Sequence, residues 1–445
     1  MSNDSFAPDW SMFMSPTYPY QLYEMAHAAL APARAVSDAT HFMFRNPWNP
    51  LSNTFLGKNI SAGAELFERI TRRYGKPTFG LNEIHVDGAV YPVRQDVVWT
   101  RPFCNLLRFV RPKFPNGANQ PKLLIVAPMS GHYATLLRGT VEAFLPHFDV
   151  TITDWADARM VPMALGPFDL DDYIDYLREI LAHLGPGVHT IGVCQPSVPL
   201  LAAAALMEAD GDPAAPASMT LMGGPVDTRR SPTEVNKLAE KRGVEWFRRN
   251  CLHTVPFPYP GFGREVYPGF LQLSGFMAMN IDRHVTAHLD MFNHLVAGDE
   301  DPVEKHREFY DEYLAVMDLA AEYYMQTVET VFVRHALPKG EMTHRGQLVD
   351  LKAIRNAGLL TVEGEKDDIS GVGQTYAANE LCVNIPDSRK QYYLATGVGH
   401  YGVFNGSRFR KLIAPRIREF IAGIEADAEP AKPLKLNGSR RLKSA

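Results

Sequence analysis

Thr190-Ile-Gly-Val-Cys-Gln-Pro-Ser-Val-Pro199 is the stretch of sequence that decides the fold of this chain. An apolar strand runs through Gly192 and meets a helix-forming run, Leu200 to Met207, so that Cys194 stands on a sharp turn. Small residues around such a turn let the backbone fold tightly and leave the central side chain exposed. The motif G-x-S-x-G has a second glycine where this sequence has Pro196. The turn alone is therefore a weak signal, and other residues must supply the partners of a nucleophile.

Outward from this turn, strand and helix patterns alternate along the chain. Short apolar runs predict six strands, at 122–127, 148–153, 188–193, 218–222, 359–364 and 391–396. Helical patterns fall between them, at 133–144, 171–184 and 200–207. This alternation predicts an α/β fold with a doubly wound, mainly parallel sheet. Earlier in the chain, Asp87-Gly88 between alternating apolar positions predicts a hairpin, and further strands are expected at 97–99 and 106–110.

The patterns divide the chain into five parts. We expect an N-terminal helical segment at 1–80, the first part of the core at 81–231, a helical cap at 232–345, the second part of the core at 346–425 and a disordered tail at 426–445. Two stretches fit the capping-box pattern at the start of cap helices, Ser231-Pro-Thr-Glu234 and Asp301-Pro-Val-Glu304. Val255 to Gly263 is rich in proline and predicts an ordered loop. The basic tail could instead be a weak surface anchor.

Helical spacing is also clear at both ends of the chain. Helices are expected from Tyr20 to Phe44 and from Ala62 to Tyr74, packed on the core or on something outside it, with Trp48 and Phe55 as buried anchors. The last helix, 407–424, places a row of apolar side chains on one face. That row consists of Phe409, Leu412, Ile413, Ile417, Phe420 and Ile424.

The composition gives no support for nucleic acid or an anionic membrane as partner. The 445 residues are 46% hydrophobic and carry a formal net charge of −5, so there is no basic field for a polyanion. Four cysteines without metal-ligand spacing predict free thiols in a reducing compartment. The start of the chain lacks the pattern of a signal peptide, and no run reaches the roughly 20 apolar residues of a membrane span. We expect a cytoplasmic protein without a transmembrane segment.

A histidine and an acid follow Cys194 in the order that acyl transfer in an α/β-hydrolase fold requires. Asp367 comes after the strand at 359–364, and His400 lies in a glycine-rich loop after the strand at 391–396. The predicted catalytic residues are Cys194 as nucleophile, His400 as base and Asp367 as the acid that orients the imidazole. A helix N-terminus favours the thiolate form of a cysteine.

Alternatives remain for each of these roles. Asp368 or Asp227 could replace Asp367 as the acid. Cys194 could be a small buried hydrophobic residue without a catalytic role. His400 could have the structural role of satisfying its glycine-rich turn. For the oxyanion hole, the fold uses the backbone N–H of the residue after the nucleophile, Gln195. A second amide should come from the loop after the strand at 122, where Met129 and Ser130 are the candidates. His132 in the same loop either contacts substrate or caps the next helix.

Other groups in the cap have a structural interpretation as their default. His284, His288 and His294 lack a carboxylate at motif spacing, so solvated or packing histidines are expected rather than a metal site. Tyr310, Tyr313, Tyr323 and Tyr324 are expected to be core or surface aromatic residues, although they could line an apolar ester channel. No nucleotide-binding motif stands at a strand-to-helix junction. We expect no metal and no cofactor.

Taken together, four motifs resemble the intracellular polyhydroxybutyrate depolymerases, which are cysteine-type α/β-hydrolases. They are Gly192-Val-Cys-Gln-Pro196, Asp154-Trp-Ala-Asp-Ala-Arg159-Met-Val-Pro162, Ala127-Pro-Met-Ser-Gly-His132 and Gly397-Val-Gly-His-Tyr-Gly402. The resemblance implies that the family's nucleophile, acid and base fall on Cys194, Asp367 and His400. It also implies a substrate, the polyester of storage granules, and cleavage of its ester bonds in the cytoplasm.

The resemblance leaves the acyl acceptor and several other functions open. Water as acceptor would release 3-hydroxybutyrate or its oligomers, whereas coenzyme A would give a thioester. The related polymer synthases carry G-x-C-x-G, and Pro196 argues against a synthase without excluding one. The alternatives are a synthase-like acyltransferase, a small-molecule esterase or thioesterase, and an inactive protein of the granule surface. A homo-oligomer is compatible with each of them.

Overall fold

The computed structural model describes residues 18–115 and 120–428. Most of the predicted tail, from residue 429 onward, lies outside these residues. Eight strands form the central sheet of the molecule. In chain order they are β1 Arg94–Arg101, β2 Cys104–Val110, β3 Lys122–Val126, β4 Asp149–Trp155, β5 Val188–Val193, β6 Ser218–Met222, β7 Gly358–Gly364 and β8 Lys390–Ala395.

The sheet is mainly parallel and has the order β1-β2-β4-β3-β5-β6-β7-β8. Only β2 runs antiparallel to its neighbours, β1 and β4, while the other pairings are parallel. The central strands are apolar on both faces, and Leu123 to Val126 are fully buried, because helices cover the sheet on both sides. This architecture is the predicted α/β-hydrolase fold.

Helices follow the strands of the sheet in the alternating manner that the sequence predicts. The five that accompany it are α4 Arg138–Phe144, α5 Leu170–Leu184, α6 Ser197–Ala209, α13 Ala377–Leu381 and α16 Ala414–Ala428. Helix α6 begins three residues earlier than its apolar pattern predicts, directly after the turn at Cys194. Helix α16 runs three residues into the predicted tail.

A mainly helical segment lies between β6 and β7, where the cap is predicted. Its helices are α7 Glu234–Cys251, α8 Gly269–Met279, α9 Ile281–Ala297, α10 Glu300–Tyr313, α11 Ala321–Thr327 and α12 Ala336–Lys339. A small three-stranded sheet of His253–Thr254, Glu265–Tyr267 and Leu319–Ala320 interrupts them. The boundaries of the five predicted parts stay predictions.

Three helices, α1 Tyr18–Ala29, α2 Ala31–Arg45 and α3 Phe55–Thr71, precede the sheet. The first two replace the single helix predicted over Tyr20 to Phe44. Tyr20 is fully buried, and its hydroxyl donates to Asp318 Oδ2 at 2.6 Å, so this segment packs against the rest of the molecule. The predicted hairpin is confirmed, with strands at Glu83–Val86 and Ala89–Pro92. Among the described helices, none is long and apolar enough to cross a bilayer.

The prediction that Trp48 and Phe55 are buried anchors is wrong. Their exposed fractions are 91% and 81%. The turn between α2 and α3 is held by polar side chains instead, because Asn46 Oδ1 accepts from the Trp48 amide and Asn49 Oδ1 accepts from the Leu51 amide. Since these hydrogen bonds fix the turn, its aromatic residues are free to point outward.

Both predicted capping boxes are wrong. The cap of α7 is Thr233, which forms its box with Asn236, because Ser231 has a φ of 40° and lies outside the helical geometry. Asp301 lies inside the first turn of α10, where the N-cap residue is Asp299. In both cases proline near the helix start suggests a boundary that lies two residues away from the observed one.

The predicted apolar row on the last helix is also wrong for one of its six residues. Leu412 is 51% exposed, whereas the other five members are buried. Residues Phe409–Ile413 form a turn of π-helix, and its extra residue per turn changes the phase of the side chains. A row counted with regular α-helical spacing therefore loses a member at this turn.

Candidate active site

Cys194 lies on a strained turn between β5 and α6. Its φ is 66°, in the left-handed region that residues with a side chain rarely adopt. The Cys194 amide donates to Met222 O at 2.7 Å and its carbonyl accepts from the Ser197 amide at 3.1 Å, so both sides of the turn are fixed. Strain of this kind is typical of functional sites, where the surrounding structure holds the residue in place. The thiol side chain is half-buried.

Pro196 fits the place where the common motif has glycine. It has a φ of −53° and a ψ of −15° and directly precedes the first residue of α6. Proline suits a helix start because the first amides of a helix have no partner within the helix. The close approach comes from another glycine, Gly224, where a Cβ atom would lie 1.9 Å from Ser197 Oγ and 2.8 Å from Cys194 O.

His400 and Asp367 meet at the carboxyl ends of β7 and β8. His400 begins the short helix α14, His400–Phe404, and its Nδ1 lies 2.8 Å from Asp367 Oδ2. Asp367 Oδ1 accepts from the amides of Ile369 and Ser370, at 2.9 and 2.8 Å. The carboxylate is therefore held by its own loop and can fix the orientation of the imidazole ring.

The charge on His400 is set by its two neighbours. Burial alone would lower the pKa of His400, but the Asp367 carboxylate and the hydrogen-bonded Cys194 thiol raise that pKa well above its ordinary value. Such a ring keeps its proton to high pH. The site can thus hold a protonated imidazole against the Cys194 side chain, and a histidine in this place is the partner that a cysteine nucleophile requires.

The two alternative acids do not contact the imidazole. Asp368 Oδ2 accepts from Asn280 Nδ2 at 3.2 Å, and Asp227 Oδ1 accepts from Arg229 Nε at 2.8 Å. Of the three candidates, Asp367 is the one that the structure places against His400.

The predicted oxyanion amides lie in the two loops that the fold requires. Met129 and Ser130 follow the end of β3, and Gln195 follows Cys194. Within residues 18–115 and 120–428, none of these three amides donates to a protein acceptor. The protein itself therefore leaves these donors unused, and their catalytic role stays a prediction.

His132 does not cap the next helix, so that alternative is wrong. Its Nε2 lies 3.1 Å from Tyr313 O in the cap, and the short helix that follows has Tyr133 as its N-cap without a side-chain bond. Burial lowers the pKa of His132 to about 4, so the ring is neutral. Its ring packs between Phe276, Tyr313 and Tyr401. A contact with substrate stays a prediction.

Two residues near the site, Gly223 and Tyr401, were not singled out by the sequence as functional, whereas Tyr323 is among the cap tyrosines named above. Gly223 has a φ of 58°, and a Cβ there would lie 3.2 Å from Asp367 Oδ2. Burial raises the pKa of Tyr401 and of Tyr323 well above the ordinary value, and nearby Cys194 contributes in the same direction. Two features of the sequence could have identified them, namely the paired glycines after β6 and the tyrosine next to His400.

The histidines of the cap have packing partners. His284 Nδ1 lies 2.9 Å from the hydroxyl of Tyr310, and His288 packs against His306 with 5.1 Å between the ring centroids. In the described part of the chain, no group of three or more histidine, cysteine or carboxylate side chains could hold a metal ion.

Comparison with known families identifies the carboxyl-terminal part of this chain. Residues 223–425 match the family model described as PHB de-polymerase C-terminus. This match supports the PHB depolymerase family. The matched residues include Asp367 and His400 but not Cys194, so the match leaves the nucleophile open. It confirms the resemblance to PHB depolymerases and supports a carboxylic ester hydrolase, while the cysteine type stays a prediction. Of the four motifs, Gly397 to Gly402 lies within the match.

Solved structures with a similar chain fold include other ester hydrolases. A thermophilic esterase from Thermogutta terrifontis is 13% identical, with 77% of this chain and 98% of that chain covered and a TM-score of 0.39. A monoacylglycerol lipase from Paleococcus ferrophilus is 12% identical, with 68% and 96% covered and a TM-score of 0.39. No curated protein sequence matches the chain significantly.

Proposed function

We propose that this chain is an intracellular poly(3-hydroxybutyrate) depolymerase that works through a covalent acyl-cysteine. The observation that carries the proposal is the contact of His400 with Asp367 on one side and with Cys194 on the other. A histidine held between a carboxylate and a thiol is the arrangement that activates a sulfur nucleophile. The match to the PHB depolymerase family supports a polyester as the substrate.

In the first half of the proposed reaction, the Cys194 thiolate attacks an ester carbonyl carbon of the polymer. A bond forms between Sγ and this carbon while the carbonyl oxygen takes the negative charge. The amides of Gln195 and of Met129 or Ser130 would stabilise this oxyanion. The ester C–O bond then breaks, and the leaving alkoxide takes the proton of the His400 imidazolium.

In the second half, the neutral His400 accepts a proton from the acyl acceptor. With water as acceptor, the hydroxyl oxygen attacks the thioester carbon and the thiolate leaves, which releases 3-hydroxybutyrate or its oligomers. With coenzyme A as acceptor, the new bond is a second thioester. Asp367 holds the ring in position throughout, because its Oδ2 stays bonded to Nδ1 while Nε2 faces the reacting atoms.

The proposal is tested by incubating amorphous poly(3-hydroxybutyrate) granules with the native protein and with Cys194→Ala. We expect the native protein to release products and the variant to lose at least about 1,000-fold of the rate. Cys251→Ala is the matched control, because Cys251 is also half-buried but lies in the cap. Turnover retained by Cys194→Ala would exclude the thiol mechanism.

Mass analysis of the products, with and without coenzyme A, identifies the acceptor in the same experiment. Free hydroxy acids indicate water, and hydroxyacyl thioesters indicate coenzyme A. Rapid hydrolysis of short soluble esters without any release from granules would instead indicate a small-molecule esterase.

A further inference from the structure

Two loops beside the active site expose an unusual set of large apolar side chains. We call residues 160–167 and 255–263 together the loop face. Five of its side chains have more than half of their surface exposed. They are Met160 at 51%, Met163 at 57%, Leu165 at 53%, Phe257 at 81% and Phe262 at 58%.

The two loops form one continuous and well-fixed surface. The Gly261 amide donates to Arg159 O at 2.8 Å. The buried guanidinium of Arg264 donates to Val161 O, and also to Pro162 O and Gly166 O at 3.0 Å each. Because Arg264, which directly follows the second loop, binds three carbonyls of the first loop, the exposed apolar residues are held in a fixed arrangement. Little conformational entropy is lost when such a surface binds.

The loop face carries no charge. Residues 160–167 and 255–263 contain no Asp, Glu, Lys or Arg, although 21% of the whole chain is charged. The charged side chains that border it are paired with each other, Arg159 with Asp157 and Arg73 with Glu24. A partner with a strong charge, such as nucleic acid or an anionic bilayer, would therefore find no free complementary group on the loop face. A neutral, apolar solid with ester groups matches this surface in charge and in polarity.

The loop face also lies on the same edge of the sheet as the nucleophile. Strands β4 and β5 both run parallel to β3, so the loop that begins after Trp155 and the turn at Cys194 leave the sheet at the same edge. One strand separates β4 from β5, which corresponds to roughly 10 Å across the sheet. A solid surface that contacts the loop face is therefore next to the catalytic edge.

We infer that the loop face adsorbs this protein onto the surface of solid polyester and presents the polymer to the catalytic edge. The inference rests on the proposed function for the identity of the polymer. Exposed apolar patches of this kind are typical of interaction sites in soluble proteins. Adsorption is a separate step from cleavage, so the two can be measured apart.

A second apolar cluster provides the matched control. Phe42, Trp48 and Phe55 at the tip between α2 and α3 are exposed by 75%, 91% and 81%. They resemble the loop face in size and exposure, but they lie in a helix–turn–helix segment that adds no strand to the sheet. Serine at these three positions removes similar apolar area at a different place.

The test compares two triple variants. The loop-face variant carries Met163→Ser, Phe257→Ser and Phe262→Ser. The control variant carries Phe42→Ser, Trp48→Ser and Phe55→Ser. Adsorption to amorphous poly(3-hydroxybutyrate) granules is measured in a Cys194→Ala background, so that no polymer is consumed. We expect the loop-face variant to bind at least about 10-fold more weakly, because three large apolar contacts are lost. The control variant should change less than about 2-fold. Far-UV circular dichroism and thermal unfolding check that both variants fold.

Turnover of a soluble 3-hydroxybutyrate oligomer, measured with Cys194 intact, separates adsorption from chemistry. The loop-face variant should keep its kcat/KM on the oligomer and lose activity on granules alone. If the native protein adsorbs to granules but cleaves neither substrate, the proposed function fails while the inference stands.

Four results would overturn the inference. One is native protein that does not adsorb to granules, and another is weaker adsorption in the control variant rather than in the loop-face variant. A third is equal adsorption of the native protein to phosphatidylcholine vesicles and to granules, which would indicate a lipid surface as partner. The fourth is a native oligomer that the loop-face substitutions dissociate in light scattering, which would indicate a contact between copies of this chain.

Discussion

The left-handed backbone of Cys194 depends on a glycine that is remote in sequence. A Cβ at Gly224 would lie 2.3 Å from Ser197 Cβ and 2.8 Å from Cys194 O. The end of β6 can therefore approach the turn only because this position has no side chain. The G-x-S-x-G motif has its second glycine two residues after the nucleophile, whereas here Gly224, which follows the neighbouring strand β6, allows the close approach.

Gly224→Ala should move the turn at Cys194 and lower the free energy of unfolding by about 1 to 3 kcal/mol. Activity on a soluble ester should fall by more than the loss of folded protein explains, because the carbonyl of Cys194 itself must shift. Chemical unfolding and kcat/KM are the two measurements. Gly423→Ala is the control, since a Cβ at this position of α16 meets nothing within 4 Å, and it should add about 0.5 to 1 kcal/mol of stability. Equal behaviour of the two variants would contradict the close approach.

Asp367→Asn should move the alkaline limit of activity to lower pH. Asp367 raises the pKa of His400 against the lowering effect of burial, so the native imidazolium persists well above the usual range near 6.5. Without the carboxylate the ring loses its proton earlier as pH rises, and the reactive ion pair is lost with it. We expect the alkaline limb of kcat/KM to fall by at least about one pH unit and the maximum by about 100-fold.

Asp368→Asn is the matched control for this pH profile. Its carboxylate binds Asn280 rather than His400, so the alkaline limb should stay in place. An unchanged limb in Asp367→Asn, or an equal shift in both variants, would show that Asp367 does not set the charge of His400.

At the residue scale, the sequence predicts that Asp367 and His400 meet, but it does not predict which aromatic residues are exposed. Order along the chain brings Asp367 and His400 together, because parallel strands deliver their loops to one edge. It cannot tell whether Trp48 and Phe55 are buried, since an exposed and a buried aromatic residue have the same local pattern. The role of Gly224 could not be predicted either, because this glycine contacts a turn that lies 30 residues earlier in the sequence.

At the scale of elements, a single buried carboxylate organises the loop that carries Asp367. Glu363, near the end of β7, is 1% exposed. Its Oε1 accepts from the amides of Thr375 and Tyr376, at 2.7 and 2.9 Å. Its Oε2 accepts from the Gly373 amide and from the Tyr392 hydroxyl, each at 2.9 Å. Four donors thus converge on one side chain and tie the loop after β7 to β8.

Glu363→Gln should lower the free energy of unfolding by about 3 kcal/mol, because a side-chain NH₂ group would face donors that it cannot accept from. The acid loop should loosen, so kcat on a soluble ester should fall while the enzyme remains folded. Chemical unfolding and steady-state kinetics measure the two effects. Glu380→Gln, which breaks the exposed pair with Arg230, should cost less than about 1 kcal/mol. A neutral effect of Glu363→Gln would show that the loop is held by other contacts.

Elements with strong periodicity are well predicted, and their ends are not. The strands from 122 to 222 and the hairpin at Asp87 lie where the sequence places them. The start of α7 depends on the φ of 40° at Ser231, and the row on the last helix depends on the π turn at Phe409–Ile413. Both features are set by tertiary packing, which a local pattern of apolar residues does not encode.

At the scale of the whole molecule, alternating strands and helices were sufficient to predict the sheet. They were not sufficient to predict how the cap and the N-terminal helices meet it, because those contacts join residues far apart in sequence. The hydrogen bond of Tyr20 to Asp318 is an example, because the two residues are 298 positions apart in the sequence. The sequence also gave no sign that the loops at 160–167 and 255–263 form one surface, since Arg264 joins them through backbone carbonyls.

The four cysteines should react in an order that follows their places in the fold. Burial raises the pKa of Cys104 well above its ordinary value and raises that of Cys382 to about 12. Burial also raises the pKa of Cys251, although Tyr324 opposes this effect. Cys194 is half-buried and lies against His400, the side chain that would activate it as a nucleophile. A small thiol reagent at pH 8 should therefore label Cys194 first, Cys251 more slowly, and Cys104 and Cys382 only when the protein unfolds.

Peptide mass analysis along a time course and a denaturant series measures this order. Labelling of Cys194 should abolish ester hydrolysis in proportion to its extent. Early labelling of Cys104 in the folded protein would contradict the burial of this residue in β2.

The most direct measurement of the central claim is the mass of the intact protein during the first turnovers of a soluble 3-hydroxybutyrate ester. A covalent acyl-enzyme predicts a species that is heavier by one hydroxyacyl group, located on the peptide that contains Cys194. His400→Ala should form it far more slowly, and Cys194→Ala should not form it. Hydrolysis without this species at rates where it should accumulate, together with full activity of Cys194→Ala, would contradict the account.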